Sequence, residues 1–356
     1  MKVAIVQKVV PLYREEFFSQ LSEKVDLTVF LYEEAKGGDV THSDSIRMRH
    51  IRNIAFRNIR YVSLFTLLFG GFDTLVLELH QGHISTWLLL LTRFIHRKKI
   101  ILWGQGISVK RYCKEEKKAN MSLKLMIKMS NGCWIYMPKE KDQWQKIYPK
   151  KAFVALGNTI SGIKGMLNYE SNKSQEELKN KYDIKEDIVF IYCARFNTLN
   201  RRTDLLEEVI TQLGTNKYGF IIIGDGQYKP DFSKYPNVYD FGRVYDNEIK
   251  EELFSISDAY FQPAWLGLSI VEAMARGNSV LTFKRTESLM HGVELDYIKN
   301  GYNGLLFEDL YDAVAKISSL SKADLSRMGD NAKKYIKENA TMDKMVNNAV
   351  SLLMKL

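Results

Sequence analysis

Cysteine is nearly absent: Cys113, Cys133 and Cys193 are the only three in 356 residues. They are odd in number, widely spaced and outside any C-x-x-C pair. That excludes a disulfide framework and a finger-type zinc site, and it reads as a chain with ordinary thiols in a reducing compartment. Six prolines and 22 glycines are too few for low-complexity linkers. A membrane span is also missing. Tyr61 to Leu79 is the most apolar stretch, but Gly70-Gly71 and Asp73 divide it into helix, turn and strand. Trp87 to Ile95 is short and interrupted by Arg93. Met1-Lys2 runs straight into Val3-Ala4-Ile5-Val6, with no h-region and no small-residue cleavage site, so no secretory leader is expected. No carboxylate cluster suited to Mg²⁺ is evident. A soluble or membrane-peripheral protein is expected.

What is present is an ordinary globular composition, 46% hydrophobic and 26% charged, over a length that suits two domains. The net charge of +9 is unevenly placed. Residues 1–160 hold 26 Lys and Arg against 14 Asp and Glu, a net of +12, and the remainder has 25 against 28, a net of −3. A basic half points to an anionic partner. One cluster is Arg47, Arg49, Arg52, Arg57 and Arg60, and a second is Arg93, Arg97, Lys98 and Lys99. A third runs from Lys110 and Arg111 through Lys114, Lys117, Lys118, Lys124 and Lys128. Leu123, Met126 and Ile127 interleave with it at helical spacing, so a basic amphipathic helix with an apolar edge is the expected membrane contact. A solvated helix over a core stripe is the plainer alternative. Nucleic acid is disfavoured, because Tyr112 is almost the only aromatic in that cluster.

Apolar runs of strand length alternate with helical periodicity along the whole chain. Val3–Val6, Leu27–Leu31, Thr74–Leu79, Lys99–Trp103 and Cys133–Tyr136 read as strands of a first series. Ile188–Cys193, Phe220–Ile223, Ala259–Gln262 and Val280–Phe283 read as strands of a second, after a lapse between Gly157 and Asn172. Such alternation predicts parallel sheets with helices on both faces, where ligands bind at the carboxyl ends of strands. Three segments follow strands of the second series. Arg195 and Arg201 lie in the first and suit a diphosphate clamp. Gly224-Asp225-Gly226 forms the second, a tight turn without a full dinucleotide fingerprint. The third runs from Pro263 through Gly267 into a helix over Ser269–Arg276 closed by Gly277. Its amino end suits an anion and its Glu272 a ribose diol.

The order of these segments resembles the GT-B glycosyltransferases of family 4, the retaining, nucleotide-sugar-dependent class. Pro11-Leu12-Tyr13-Arg14 and Phe17-Phe18-Ser19-Gln20-Leu21 look like the opening of many bacterial polysaccharide members. Leu102-Trp103-Gly104-Gln105-Gly106 is similar to their W-x-H-G segment, and Gly157-Asn158-Thr159-Ile160 to their N-T-I-D linker. Arg195 and Arg201 stand where the family has its diphosphate-binding Arg and Lys. Gly224-Asp225-Gly226 resembles the G-D-G turn, and Gly242-Arg243-Val244 the segment beside the nucleobase. Leu266-Gly267-Leu268-Ser269-Ile270-Val271-Glu272-Ala273-Met274 resembles the E-x7-E signature. Two departures stand out: the first Glu of that signature falls on Ala264, and the amino-terminal His falls on Gln105. His80 and His83, just after a strand, are candidates to take over from it.

The resemblance implies an α/β GT-B fold, two doubly wound Rossmann-like domains facing across a cleft. An acceptor domain is expected over 1–160 and a donor domain over 161–337, with a helix at about 338–356 packing back on the first. It implies a retaining hexosyltransferase of bacterial surface polysaccharide synthesis, with Arg195, Arg201, Glu272 and Gln105 at the reacting centre. Gly224, Asp225, Gly226, Arg243, Val244, Leu266, Gly267, Leu268 and Ser269 would bind the donor, and Arg14, His80 and His83 the acceptor. The donor is expected to be UDP- or GDP-linked, with no metal and no other cofactor. The acceptor would be a saccharide or polyprenyl-diphosphate-linked oligosaccharide, met at the anionic cytoplasmic face of the membrane. The alternatives are a nucleotide-binding but catalytically altered homologue, favoured by Ala264, and a sugar-nucleotide epimerase, disfavoured by it.

Overall fold

β-branched runs buried on both faces can only be satisfied by parallel pairing under helices, and two such sheets form. The computed structural model describes residues 1–34 and 43–356. The chain divides into one unit of Met1–Gly162 with Thr341–Leu356 and a second of Ile163–Ala340.

The strands of the first unit are β1 (Lys2–Gln7), β2 (Asp26–Leu31), β3 (Met48–His50), β4 (Asn53–Phe56), β5 (Ile59–Val62), β6 (Thr74–Glu78), β7 (Lys99–Gly104), β8 (Gly132–Ile135) and β9 (Ala152–Ala155). Seven of them pair in parallel in the order β3-β2-β1-β6-β7-β8-β9, while β4 and β5 form a separate antiparallel hairpin. Val3, Ala4 and Ile5 of β1 and Ile100, Ile101 and Leu102 of β7 are fully buried, as central parallel strands require. The Glu15–Ser22 helix buries Phe17, Phe18 and Leu21. Phe17 lies 5.4 Å from the Trp103 ring and 6.3 Å from Trp134, and the two indoles are 5.6 Å apart. The Met342–Lys355 helix packs on this helix and on β9, burying Met345, Val346, Ala349, Leu352 and Leu353. Thr341 caps it, its hydroxyl accepting from the Lys344 amide.

The second unit contains β10 (Ile188–Cys193), β11 (Tyr218–Ile223), β12 (Val238–Asp240), β13 (Ala259–Phe261), β14 (Ser279–Phe283) and β15 (Gly304–Phe307). They pair in the order β12-β11-β10-β13-β14-β15, all parallel. The order reverses between β10 and β13. Because crossovers are right-handed, chain leaving these two strands turns to opposite faces and a crevice opens at their carboxyl ends. The helices over Thr203–Leu213 and Leu310–Ser319 pack together, and those over Gln175–Lys181 and Asn247–Ile256 form another pair.

The third basic cluster differs from the expected helix. It is a 3₁₀ turn at Val109–Arg111, a helix at Tyr112–Lys117 and a second helix at Met121–Met129, capped by Asn120. Met126 and Ile127 are fully buried and Leu123 packs against the core, so the proposed apolar edge faces inward. Arg49 sits on edge strand β3 and Arg57 in the hairpin turn, both exposed. Basic side chains there keep an edge from pairing with another chain.

Glu252, on the Asn247–Ile256 helix, ties it to the Gln175–Lys181 helix and its flanks. It accepts from Lys173 Nζ at 2.7 Å, Tyr182 Oη at 2.5 Å and Lys181 Nζ. These hydrogen bonds, Lys173 first, hold the carboxyl at about 2 against an ordinary 4.5. A depressed folded value means that the contribution is complete above the unfolded value and lost as pH falls through the folded one. Glu252→Gln should therefore lower stability at pH 7 by roughly 1–3 kcal/mol. In urea titrations the gap to wild type should close as pH falls from 4.5 towards 2. A gap constant with pH would assign the loss to packing instead.

Candidate active site at the carboxyl end of the second sheet

The loops after β10, β11 and β13 meet at the strand-order reversal. Gly224 has φ 141°, and a Cβ on it would stand 2.1 Å from the Ala194 carbonyl oxygen. Gly226 has φ 150°, and its Cβ would stand 2.6 Å from the Phe196 backbone. The Phe196 amide donates to the Asp225 carbonyl at 3.0 Å, and the Gly224 amide to that of Gly242 at 2.7 Å. The glycines are thus required by the approach of the loop that carries Arg195. Arg243 Nε lies 3.3 Å from Asp225 Oδ2, with both side chains exposed, and Val244 is half-buried behind them.

Arg195 is exposed on this braced loop. Arg201 ends a 3₁₀ turn over Leu199–Arg201, where the Thr198 hydroxyl accepts from the Asn200 amide. Arg202 follows at φ 52° and opens the next helix, its guanidinium held by Asp204. The left-handed residue turns Arg201 back towards the strand end. There its charge reaches Tyr192, Cys193 and Tyr260, favouring their ionised forms against burial. Arg201 Nε is buried without a hydrogen-bond partner. A half-buried cation with a buried, unsatisfied donor is costly and has affinity for an anion. Burial pushes the Cys193 thiol up to about 12, so it is no nucleophile near neutral pH.

Four charged groups surround that thiol: Lys250, Glu272, Arg276 and Arg201 all act on it. Glu272 stands on the Ser269–Ala275 helix, where Lys250 Nζ reaches its Oε1 at 2.5 Å and Arg276 Nη1 the same oxygen at 3.2 Å. Arg276 also clamps Glu251 bidentately, at 2.8 and 2.6 Å. Both cations on Glu272 use Oε1, which leaves Oε2 able to accept from a hydroxyl pair. The helix differs from expectation as an anion site. It has seven residues, and its first amides close onto Gly267 and Leu268, so its dipole adds little beside the cations.

Ala264, in the place of the missing glutamate, is fully buried in the core. Beside it the Gln262 amide donates to the Ala264 and Trp265 carbonyls and accepts from Tyr260 Oη at 2.6 Å and, distantly, from Ser269 Oγ at 3.5 Å. Leu266 is buried, its carbonyl accepting from Gly292. Gly267 has open space where a Cβ would stand, and Leu268 is half-buried next to it. Sequence reasoning did not single out Lys250 or Arg276. Arg276 follows Glu272 by one helical turn, whereas only the fold brings in Lys250 from the Asn247–Ile256 helix.

The first unit has its own polar cluster after β1, β2 and β6. Tyr32 Oη donates to the Glu78 carboxylate, 3.0 Å from each oxygen, and His83 Nε2 lies 3.4 Å from Glu78 Oε2. Arg60 sits 4.3 Å above the Tyr32 ring and binds Glu33 at 2.7 Å. Burial raises Glu78. Burial, with His80 and Arg60, pulls His83 down to about 4, and burial and Arg60 lower His80, so both imidazoles are neutral at pH 7. Glu78 and Tyr32 went unnoticed in the sequence; a lone Glu ending an apolar strand was the available signal. Gln105 is half-buried beside Gly106, whose carbonyl accepts from the Trp144 indole at 2.9 Å. Arg14 is buried and turned inward, where it donates to the Thr159 carbonyl at 2.8 Å and to Asn158 Oδ1 and stacks between Tyr13 and Tyr136. That geometry is the lock of a linker, not the open edge an acceptor contact needs.

Residues 174–340 match the family model of glycosyl transferases group 1. No curated protein matches the chain significantly. Among solved structures, Anabaena Alr3699/HepE in complex with UDP superposes with TM-score 0.71 at 14% identity, covering all of both chains. The apo lipopolysaccharide outer core galactosyltransferase WaaB gives 0.65 at 16%, covering 100% of this chain and 99% of that one. A mutant S. aureus TarM with fondaparinux, alpha-GlcNAc-glycerol and UDP gives 0.63 at 12%, covering 99% of each. At these identities the likeness shows the fold: two Rossmann-like units of the GT-B type.

Arg201→Ala removes a charge-assisted contact of roughly 1.5–3 kcal/mol. Affinity for a nucleoside diphosphate, by calorimetry, should fall about 10- to 100-fold, while Tm holds or rises because a buried unsatisfied donor is gone. Unchanged affinity would remove Arg201 from the site.

Proposed function

From a GT-B chain whose second unit matches the group 1 glycosyl transferases, we propose a retaining glycosyltransferase. It moves a hexosyl group from a nucleotide-sugar to a saccharide or polyprenyl-diphosphate-linked acceptor in surface polysaccharide synthesis, as a peripheral protein at the inner membrane face. The observation that carries the reading is Arg201, half-buried at the β10–β13 reversal, with its Nε buried and without a hydrogen-bond partner. Arg195 and Arg201 would take the diphosphate and Glu272 Oε2 the ribose diol. The open space at Gly267 would admit the diphosphate to the backbone. UDP is the favoured nucleotide, since HepE and TarM were each solved with it.

A retaining transfer of this kind makes modest demands on side chains. The acceptor hydroxyl attacks the anomeric carbon from the side on which the diphosphate departs. The bond from that carbon to the diphosphate oxygen breaks as the new glycosidic bond forms. The hydroxyl proton passes to the departing oxygen, whose charge the two guanidiniums stabilise. Holding the partners in place then matters more than side-chain acid–base work. This accommodates Gln105 in the family's His position.

Ala264 favours a second reading, a nucleotide-binding chain without transfer, because no carboxylate can reach the sugar from that buried position. A thermal-shift panel of UDP-, GDP- and ADP-sugars separates the readings when joined to a donor-consumption assay. A ligand at a hundredfold excess over Kd stabilises by about 2.7 kcal/mol. UDP-sugars should raise Tm, and one should be consumed with its sugar linkage retained once an acceptor is added. Stabilisation without consumption across acceptors would favour the second reading, and no stabilisation would remove both. Glu272→Gln should weaken donor binding about tenfold, roughly 1.4 kcal/mol, and lower Tm modestly, since Lys250 and Arg276 lose their shared anion.

A further inference from the structure

Eleven of the 23 large apolar side chains exposed among the described residues fall between Ile54 and Ile95. In the hairpin, Ile54 pairs with Tyr61 and Phe56 with Ile59, which places these four on one face. All four are exposed, while Val62 and Arg60 on the other face turn inward. The Leu64–Phe69 helix buries Leu67 and exposes Phe65 and Phe69, whose rings lie 5.0 Å apart. The Ile84–Leu91 helix packs on β5 through Ser85, Thr86, Leu89 and Leu90, leaving Ile84, Leu88 and Leu91 along its outer side. Phe94, 77% exposed, and Ile95 continue that line in the next turn. Scattered exposed hydrophobics need no explanation; this concentration on adjoining elements does.

The charges around it indicate what covers it. No Asp or Glu occurs from 45 to 72 or from 79 to 114, the two stretches that supply every one of these side chains. Arg52, Arg57 and Arg97 are exposed among them, with Arg57 stacked 5.5 Å from the Phe56 ring. Exposed aromatics and aliphatics flanked by arginine and free of carboxylate suit the headgroup–acyl boundary of an anionic bilayer. We propose that the β4–β5 hairpin and the helices over Leu64–Phe69, Ile84–Leu91 and Arg93–His96 form a membrane-docking face that inserts these side chains among anionic lipids. The inference deepens the reading of a membrane-bound acceptor and rests on it. It also moves the contact from the third basic cluster, where Met126 and Ile127 are buried and Leu123 packs against the core.

The test is flotation of the full chain with vesicles of phosphatidylcholine alone or with 30% phosphatidylglycerol. Wild type should float with the anionic vesicles, weaken as salt rises and float little with neutral ones. A Phe56→Ser, Phe65→Ser, Phe94→Ser variant should lose at least tenfold in binding, and Lys117→Glu with Lys118→Glu should lose less than twofold. Phe65→Trp should show a blue-shifted emission on anionic vesicles, quenched by lipids brominated near the headgroup. The UDP thermal shift should be the same in all variants. Thus a chain that docks without binding UDP would fail the glycosyltransferase reading and keep this one. Equal flotation of the triple serine variant, no flotation of wild type, or a concentration-dependent dimer that the variant dissolves would overturn the docking face.

Discussion

A half-buried guanidinium at the end of a parallel strand, with its Nε buried and unsatisfied, costs the fold free energy, and the second unit is arranged around that cost. The reversal between β10 and β13 leaves two strand ends uncovered by a helix. Arg202, in a left-handed conformation, turns Arg201 into that gap. Gly224 and Gly226 let the neighbouring loop press against the segment bearing Arg195, closely enough that a Cβ at either position would collide with backbone. Removing any of these features would leave the cation solvated and of little use for binding.

Around it the charges are unequal. Arg195, Arg201, Lys250 and Arg276 contribute four cations, while Glu272 and Glu251 contribute two anions that are already engaged. A surplus of positive charge in a partly buried crevice suits a dianionic diphosphate. Lys250 and Arg276 also fix the orientation of Glu272, because both bind one of its oxygens. The departure at Ala264 removes a carboxylate from the same region. That makes the surplus larger.

The first unit separates two kinds of surface. Its strand ends carry a polar cluster in which burial keeps His83 neutral and raises Glu78. The hairpin and the short helices beside it expose apolar side chains among arginines. Hydrophobic area left in water is unfavourable at about 25 cal/mol per Å², so its retention in an otherwise well-packed domain calls for an environment other than bulk water.

The alternation of buried strand runs with amphipathic helices was enough, read along the chain, to determine two parallel α/β units, because a strand apolar on both faces has no other solution. Ile188–Cys193 was legible to the residue, and Gly277 closes its helix as expected, with φ 86°. Strand-end positions of Arg195, Arg201 and Gly224 were legible for the same reason: loops follow strands in sequence as they do in space. Strands β3, β12 and β15 were not, being short and pinned by neighbours rather than by their own pattern. Lys250 beside Glu272, the inward turn of Arg14, and the burial of Met126 and Ile127 were decided only by packing. Helical periodicity says that a face is apolar, but not whether core or solvent meets it. The pairing of a charge depends on partners far away in sequence, and those become neighbours only when the helices dock.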